Sequence, residues 1–186
     1  CTISSTANTV NYRNSTVRSS RNGRADFGGF DMIAVIGCGN ANRKDDAAGV
    51  EVIRLLRSRD DLRGREDVRL LDAGTDGMSV MYAARGCDAL IIVDSSRTGS
   101  EPGSVFEVPG RELEAPHVPS LNLHDFRWDH ALFAGRQLYR EQFPSDVTVY
   151  LIEARDLELG LGLSPEIDAA ATTVADRIVA RIGAFA

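Results

Sequence analysis

Apolar and polar residues alternate along this chain in blocks that switch between two periods. Met32–Gly37 (MIAVIG) is an unbroken apolar run ending in glycine, the signature of a strand buried on both faces. A helix is predicted from about Asp46, with Val50, Ile53 and Leu56 at helical spacing. Val68–Ala73 reads as a second strand and Gly77–Arg85 as a second helix. Ala89–Asp94 (ALIIVD) is a third, strongly apolar strand, and Ser104–Val108 a short one framed by Pro102-Gly103 and Pro109-Gly110. Asp125–Phe143 has helical character and is followed by a strand at Val147–Glu153. A last helix starts at Pro165, a residue suited to a first helical turn, and carries the stripe Ile167, Ala171, Val174, Ile178 and Ile182. Strand–helix alternation of this kind predicts an α/β fold in three layers, a mostly parallel sheet with helices on both faces. Ligands of such open sheets sit in the crevice at the carboxyl ends of the strands, so the residues just past each strand carry the functional question.

Composition narrows the answer. The 186 residues have a formal net charge of −6, and residues 1–30 hold four arginines against one acid, leaving 17 basic and 26 acidic groups in the remainder. A body this acidic is not expected to bind nucleic acid or an anionic membrane. Residues 1–30 are rich in Ser, Thr, Asn and Arg without period and are expected to be a flexible extension, although a transit peptide has a similar composition. The folded domain is therefore placed at 31–186. Cys1, Cys38 and Cys87 form no CxxC pair, and no apolar run is long enough to span a bilayer. These features fit a protein of the reducing cytoplasm.

Acids gather at the predicted strand ends. The first strand runs into Gly37-Cys38-Gly39-Asn40 and then Asp45-Asp46; the second ends in Asp72-Ala73-Gly74-Thr75; the third ends in Asp94-Ser95-Ser96. A histidine-bearing segment, His124 to His130, opens the next predicted helix. Each has a plain structural explanation: Asp45 or Asp46 as a helix cap, Asp72 as a turn residue, His124 as a surface histidine. Asp94 is harder to explain so, because a carboxylate at the mouth of a buried strand needs a partner. Together, Asp46, Asp94 and His124 would make an incomplete coordination shell of mixed oxygen and nitrogen, suited to Zn²⁺ or Ni²⁺ better than to Mg²⁺. Gly37-x-Gly39 lacks the third glycine of a dinucleotide fingerprint, since Asn42 stands there, and Asp45-Asp46 would repel a pyrophosphate. Cys38 sits among acids that suppress its thiolate, so a packing role is expected.

These residues, taken in order, resemble the hydrogenase maturation protease family. The resemblance rests on Gly37, Gly39, Asn40, Asp45, Asp46 and Gly49; on Asp72-Ala73-Gly74-Thr75; on Ile91-Ile92-Val93-Asp94; on His124 in its segment; and on Gly162-Leu163-Ser164-Pro165. It implies a twisted sheet of about five strands. It also implies an endopeptidase that recognises nickel already inserted in a [NiFe]-hydrogenase large-subunit precursor and removes the precursor's C-terminal extension. Asp46, Asp94 and His124 match the family's nickel-binding trio; Zn²⁺ or another divalent ion is a conceivable substitute. Asp72 is the candidate base or hydrogen-bond organiser, and both a carbonyl-polarising and a water-activating role for the metal are compatible with the resemblance. The sequence departs from the family in carrying Asp46 where many relatives have glutamate, and Ala73 where glycine is usual. Trp128 and His130 are additional, open to core packing or substrate contact. Two other readings use the same residues: a non-catalytic metal-sensing or metal-delivery chaperone, and a metal-independent hydrolase built on paired carboxylates.

Overall fold

A computed structural model of the chain describes residues 32–116 and 126–185. The expected extension at residues 1–30 lies outside these, as do His117 and His124. Five strands form one sheet: β1 (Ile33–Cys38), β2 (Val68–Gly74), β3 (Ala89–Ser96), β4 (Val105–Pro109) and β5 (Asp146–Glu153). Their order is β2-β1-β3-β5-β4, parallel throughout except for β4, which runs antiparallel to β5 on one edge. Among the described residues four α-helices cover it: α1 (Ala48–Arg57), α2 (Gly77–Ala84), α3 (Trp128–Tyr139) and α4 (Pro165–Gly183). No helix among the described residues is long and apolar enough to cross a membrane.

The three layers follow from the two-residue period of the strands. Ile33, Val35, Ile91, Val93 and Ile152 point to one face, where Val52, Ile53, Leu56, Ile167, Val174 and Ile178 close over them from α1 and α4. Ala34, Ile36, Leu90, Ile92, Val147 and Val149 point to the other and meet Val80 and Met81 of α2 and Leu132 of α3. Most of these side chains are fully buried, each contributing about 1.5–3 kcal/mol relative to exposure. The register aligns Ile36 with Ile92 and Ile92 with Val149. β1 and β2 therefore end together, at Cys38 and Gly74, and β3 and β5 run about two residues further, to Ser96 and Glu153.

Two predicted helices differ in detail. In α1 the buried positions are Ala48, Gly49, Val52, Ile53 and Leu56, while Val50 is only half-buried. The inward face is set by Gly49, and Val50 lies about 100° around the axis from it. The segment expected to be helical from Asp125 enters its helix only at Trp128, because Arg127 is extended (φ −88°, ψ 175°). The Phe126 carbonyl there accepts a 3.2 Å bond from Gly77 N at the start of α2. At the other end Arg140 takes a positive φ of 47° and ends the α-helix before Phe143.

The loops at the carboxyl end are pinned by two buried carboxylates. Asp45 has no solvent exposure; it accepts hydrogen bonds from Arg155 N (3.0 Å), Asp156 N (2.9 Å), Ser164 N (2.6 Å) and Ser164 Oγ (3.0 Å). Glu153 accepts from Thr98 N and Gly99 N, both at 2.7 Å, and from the Thr98 and Ser96 hydroxyls. Burial pushes the Glu153 carboxyl up, but these donors outweigh it and hold the group below its usual range.

Helix α1 meets the sheet backbone to backbone. A methyl group on Gly49 would lie 2.3 Å from both the Cys38 and the Val93 carbonyl oxygens, and one on Gly37 2.2 Å from the Gly49 oxygen. Gly49→Ala would gain up to about 1 kcal/mol in helix propensity. Overpacking against atoms that cannot rotate away costs about 1–3 kcal/mol or more, so the clash decides the sign. Urea unfolding is expected to show Gly49→Ala destabilised by about 1–3 kcal/mol, whereas Val50→Ala loses less than about 1 kcal/mol. Equal stability of the Gly49→Ala variant and the parent would mean that helix and sheet are not in direct backbone contact.

Candidate active site

Beyond β1 the chain must turn at once to lay α1 on the sheet. Gly39 makes that turn with φ +125°, and a side chain there would come within 1.8 Å of the Asp46 carbonyl oxygen. The loop Asn40–Arg43 and a 3₁₀ turn at Lys44–Ala47 follow. The two neighbouring acids of that turn part company. Asp45 faces inward to the 155–164 loop, as described, while Asp46 faces the crevice. Neither is the expected helix cap: Ala47 occupies the position before α1 and no side chain bonds to the helix's free N–H groups there.

Asp46 Oδ2 accepts from Asn40 N at 3.1 Å, and Oδ1 accepts from Ser95 Oγ at 3.0 Å. Ser95 also donates its backbone N–H to Asp94 Oδ1 at 2.8 Å, so one serine ties the two carboxylates together. The other oxygen of Asp94, Oδ2, accepts the indole N–H of Trp128 at 2.7 Å, with an Arg127 guanidinium nitrogen 3.6 Å away. This answers the question that the sequence posed at Asp94. The carboxylate is buried, and its partners are an indole from the start of α3 and a backbone amide. Burial pushes the Asp94 carboxyl up to about 6, aided by the charge on Asp46; Trp128, Ser95 and Arg127 pull the other way. Against a reference of 3.8, keeping it ionised at neutral pH costs on the order of 3 kcal/mol. The group is therefore ionised at pH 7 but held in a high-energy state.

Asp46 and Asp94 line one cavity of about 230 Å³ together with Cys38, Gly74, Asp76, Arg127 and Trp128. Arg127 is the cation among the lining residues, against three carboxylates. Asp76 is committed to capping α2 through Met78 N (2.9 Å). Asp46 and Asp94 keep acceptor capacity on oxygens that each hold one donor, which suits a further hard or borderline ligand such as a metal ion. Cys38 lies in the same wall, but burial, followed by the charge on Asp94, pushes its thiol well above the usual range, with a smaller contribution from Asp72. It is not an activated nucleophile.

Asp72 stands apart. It is exposed on β2, and its Oδ1 accepts from Gly74 N at 3.0 Å, shaping the turn whose Gly74, Thr75 and Gly77 line the cavity. Its own carboxylate is not in that lining. His124, the third member of the expected trio, lies outside the described residues, and no group of three metal-ligating side chains forms among those described. His130 is not part of the cavity wall; its ring lies 6.1 Å from that of Phe126. Ser95, Arg127 and the donor role of Trp128 are the features that sequence reasoning missed. A buried tryptophan near a buried acid was the available signal, since an indole N–H taken from water needs an acceptor.

The chain is similar to known proteins over most of its length. A family model described as hydrogenase maturation protease matches residues 50–181. The hydrogenase 2 maturation protease of Escherichia coli K12 is 28% identical over 151 residues, covering 81% of this chain and 90% of that protein. The coenzyme F420 hydrogenase subunit delta of Methanothermobacter thermautotrophicus is 27% identical over 157 residues, covering 81% and 94%. Among solved structures, the E. coli hydrogenase maturating endopeptidase HybD superposes with a TM-score of 0.67 at 26% identity, covering 81% of this chain and 91% of that one. With a family model matched over most of its length and a solved relative of the same fold, the chain belongs to the hydrogenase maturation protease family and is an endopeptidase.

Proposed function

We propose that this endopeptidase removes the C-terminal extension of a [NiFe]-hydrogenase large-subunit precursor once nickel has been inserted, and that the substrate's nickel is what it recognises. The observation that carries the reading is the pair Asp46 and Asp94, joined through Ser95 and facing one cavity at the carboxyl end of the sheet. The cavity wall is acidic on balance and holds no activated thiol, which suits a cationic substrate group better than an unassisted nucleophile mechanism. In this reading Asp46, Asp94 and His124 complete the coordination of nickel carried by the precursor; zinc or another divalent ion could stand in its place. The bridge would hold the neighbouring peptide bond in a reactive orientation, so binding energy is converted into proximity. Trp128 and Ser95 N fix both oxygens of Asp94, so the carboxylate is presented without having to be ordered during binding. Asp72 would act from outside the cavity wall, as an organiser of the Gly74 turn more than as a base that reaches the scissile bond.

Three outcomes test this. Purified protein incubated with nickel-loaded and nickel-free precursor, and followed by mass spectrometry, is expected to release the extension from the loaded form alone. Asp94→Ala should reduce that cleavage at least a hundredfold, about 2.7 kcal/mol. Equal cutting of both precursor forms would remove nickel from the recognition step. Titration calorimetry with Ni²⁺ is expected to show binding weakened at least tenfold, about 1.4 kcal/mol, in His124→Ala. Unchanged binding would take His124 out of the ligand set.

The third outcome is a pH dependence. Metal binding requires the ionised carboxylate, and the raised value for Asp94 means that protons compete as the pH falls through about 6. Affinity for nickel-loaded precursor should be level above that point and fall by about tenfold per pH unit below it. A profile flat down to pH 4.5 would show that Asp94 does not contact the metal.

A further inference from the structure

Arg127 is fixed at its backbone and only loosely held at its head. The residue is extended, its carbonyl accepts from Ala131 N at 3.0 Å to close the first turn of α3, and the carbonyl before it accepts from Gly77 N. A methyl group on Gly77 would lie 2.4 Å from the Phe126 oxygen and 2.6 Å from the Arg127 oxygen, so α2 and this segment touch backbone to backbone. The next side chain, Trp128, is buried and bonded to Asp94. From this rooted base the Arg127 side chain reaches the cavity wall, with one guanidinium nitrogen 3.6 Å from Asp94 Oδ2. It is nonetheless 64% exposed, which puts the charged head where the cavity opens to solvent.

Pairing with Asp94 does not account for this placement. A guanidinium committed to a carboxylate lies at about 2.7–2.9 Å. At 3.6 Å the Arg127 head is attracted without being hydrogen-bonded, and an ion pair this exposed adds little to stability. Asp94 takes its hydrogen bonds from Trp128 and Ser95 instead. Charge thus turns the N–H fork of Arg127 toward the cavity, and the carboxylate that attracts it does not consume its donors. Much of the wall's other donor capacity is spent within the protein: Gly39 N on the Gly74 carbonyl, Asp76 N on that of Ala73, Gly77 N on that of Phe126, and the Trp128 indole on Asp94.

Peptide hydrolysis calls for such a donor. The oxygen of water bonds to the carbonyl carbon, and the carbonyl π pair becomes a lone pair on an oxyanion. Collapse of that adduct re-forms the C=O and breaks the C–N bond, and the proton that the water gives up ends on the departing amine. Negative charge therefore grows on the carbonyl oxygen inside a wall that carries Asp46, Asp76 and Asp94. Their repulsion raises the barrier, the more so where water is scarce, and a cation facing the same oxygen offsets it. We propose that Arg127 is a catalytic residue of this endopeptidase, its guanidinium donating to the carbonyl oxygen of the scissile bond and stabilising the charge that develops there. This rests on the substrate reading given under the proposed function only for the bond on which it is measured.

The test follows steady-state cleavage of nickel-loaded precursor by the parent and by Arg127→Met, Arg127→Lys and Arg127→Ala, with the melting temperature of each. Arg127→Met is expected to lower kcat about a hundredfold, with KM within about threefold and melting temperature unchanged. Lysine keeps the charge but loses the fork, so Arg127→Lys should recover part of the rate and stay about tenfold below the parent. Methylguanidinium at millimolar concentration should raise the kcat of Arg127→Ala at least about fivefold and leave the parent unchanged, a response that a merely structural arginine would not give. A kcat for Arg127→Met close to the parent's, or a loss confined to KM, would overturn the catalytic role and leave the proposed function standing. A loss that methylguanidinium does not relieve and that comes with a lower melting temperature would make Arg127 structural and overturn the role as well. A parent that does not cleave the loaded precursor would bring down both.

Discussion

The arrangement depends on the absence of side chains where the first turn of α1 meets the ends of β1 and β3. Gly37 and Gly49 let helix and strands touch through their backbones, and Gly39 lets the intervening loop fold back over its own strand. Because nothing intervenes there, the turn before α1 drops low enough for Asp46 to share Ser95 with Asp94, near the end of β3, two sheet positions from β2. A methyl group at any of the three glycines would lift that turn away from the crevice. The carboxylate pair is in this sense a product of close packing some distance from the carboxylates themselves.

Adjacent residues in this turn carry opposite duties. Asp45 is buried and saturated with four donors, an internal bracket whose removal would leave those donors unpaired. Asp46 keeps acceptor capacity toward the cavity. Asp94 occupies a middle position, buried like Asp45 but with two strong donors and a nearby guanidinium, so its charge is tolerated without being comfortable. The same residue type is thus tuned to structure or to chemistry by the number of N–H groups aimed at it.

The layer order was legible because its signal is hydrophobic period. The two-residue alternation of β1, β3 and β5 and the stripe of α4 determine which side chains face which helix pair, and all five stripe residues of α4 are buried. Asp94 could be located because an acid ending an apolar strand has nowhere dry to go without a partner. The division of labour between Asp45 and Asp46 was not legible, since one residue turns a side chain to the opposite side of the loop and both look like caps. Nor was the Trp128 bond, which joins residues 34 apart in sequence through a helix whose start was itself misplaced by three residues, at Asp125 instead of Trp128. Ser95 was hidden for a different reason: a small hydroxyl next to an acid has many possible partners, and only the fold selects one. His124 lies outside the described residues.

Trp128 has an optical consequence. It is the chain's single tryptophan, and its indole N–H is bonded to the carboxylate at the centre of the site. Excited at wavelengths that tyrosine does not absorb, this protein therefore emits from one fluorophore, whose excited-state dipole senses the charge on Asp94. Protonation of that carboxylate, or the arrival of a paramagnetic ion beside it, alters the colour and intensity of the emitted light without any label. The bond that orients Asp94 also makes the site a spectroscopic probe of itself.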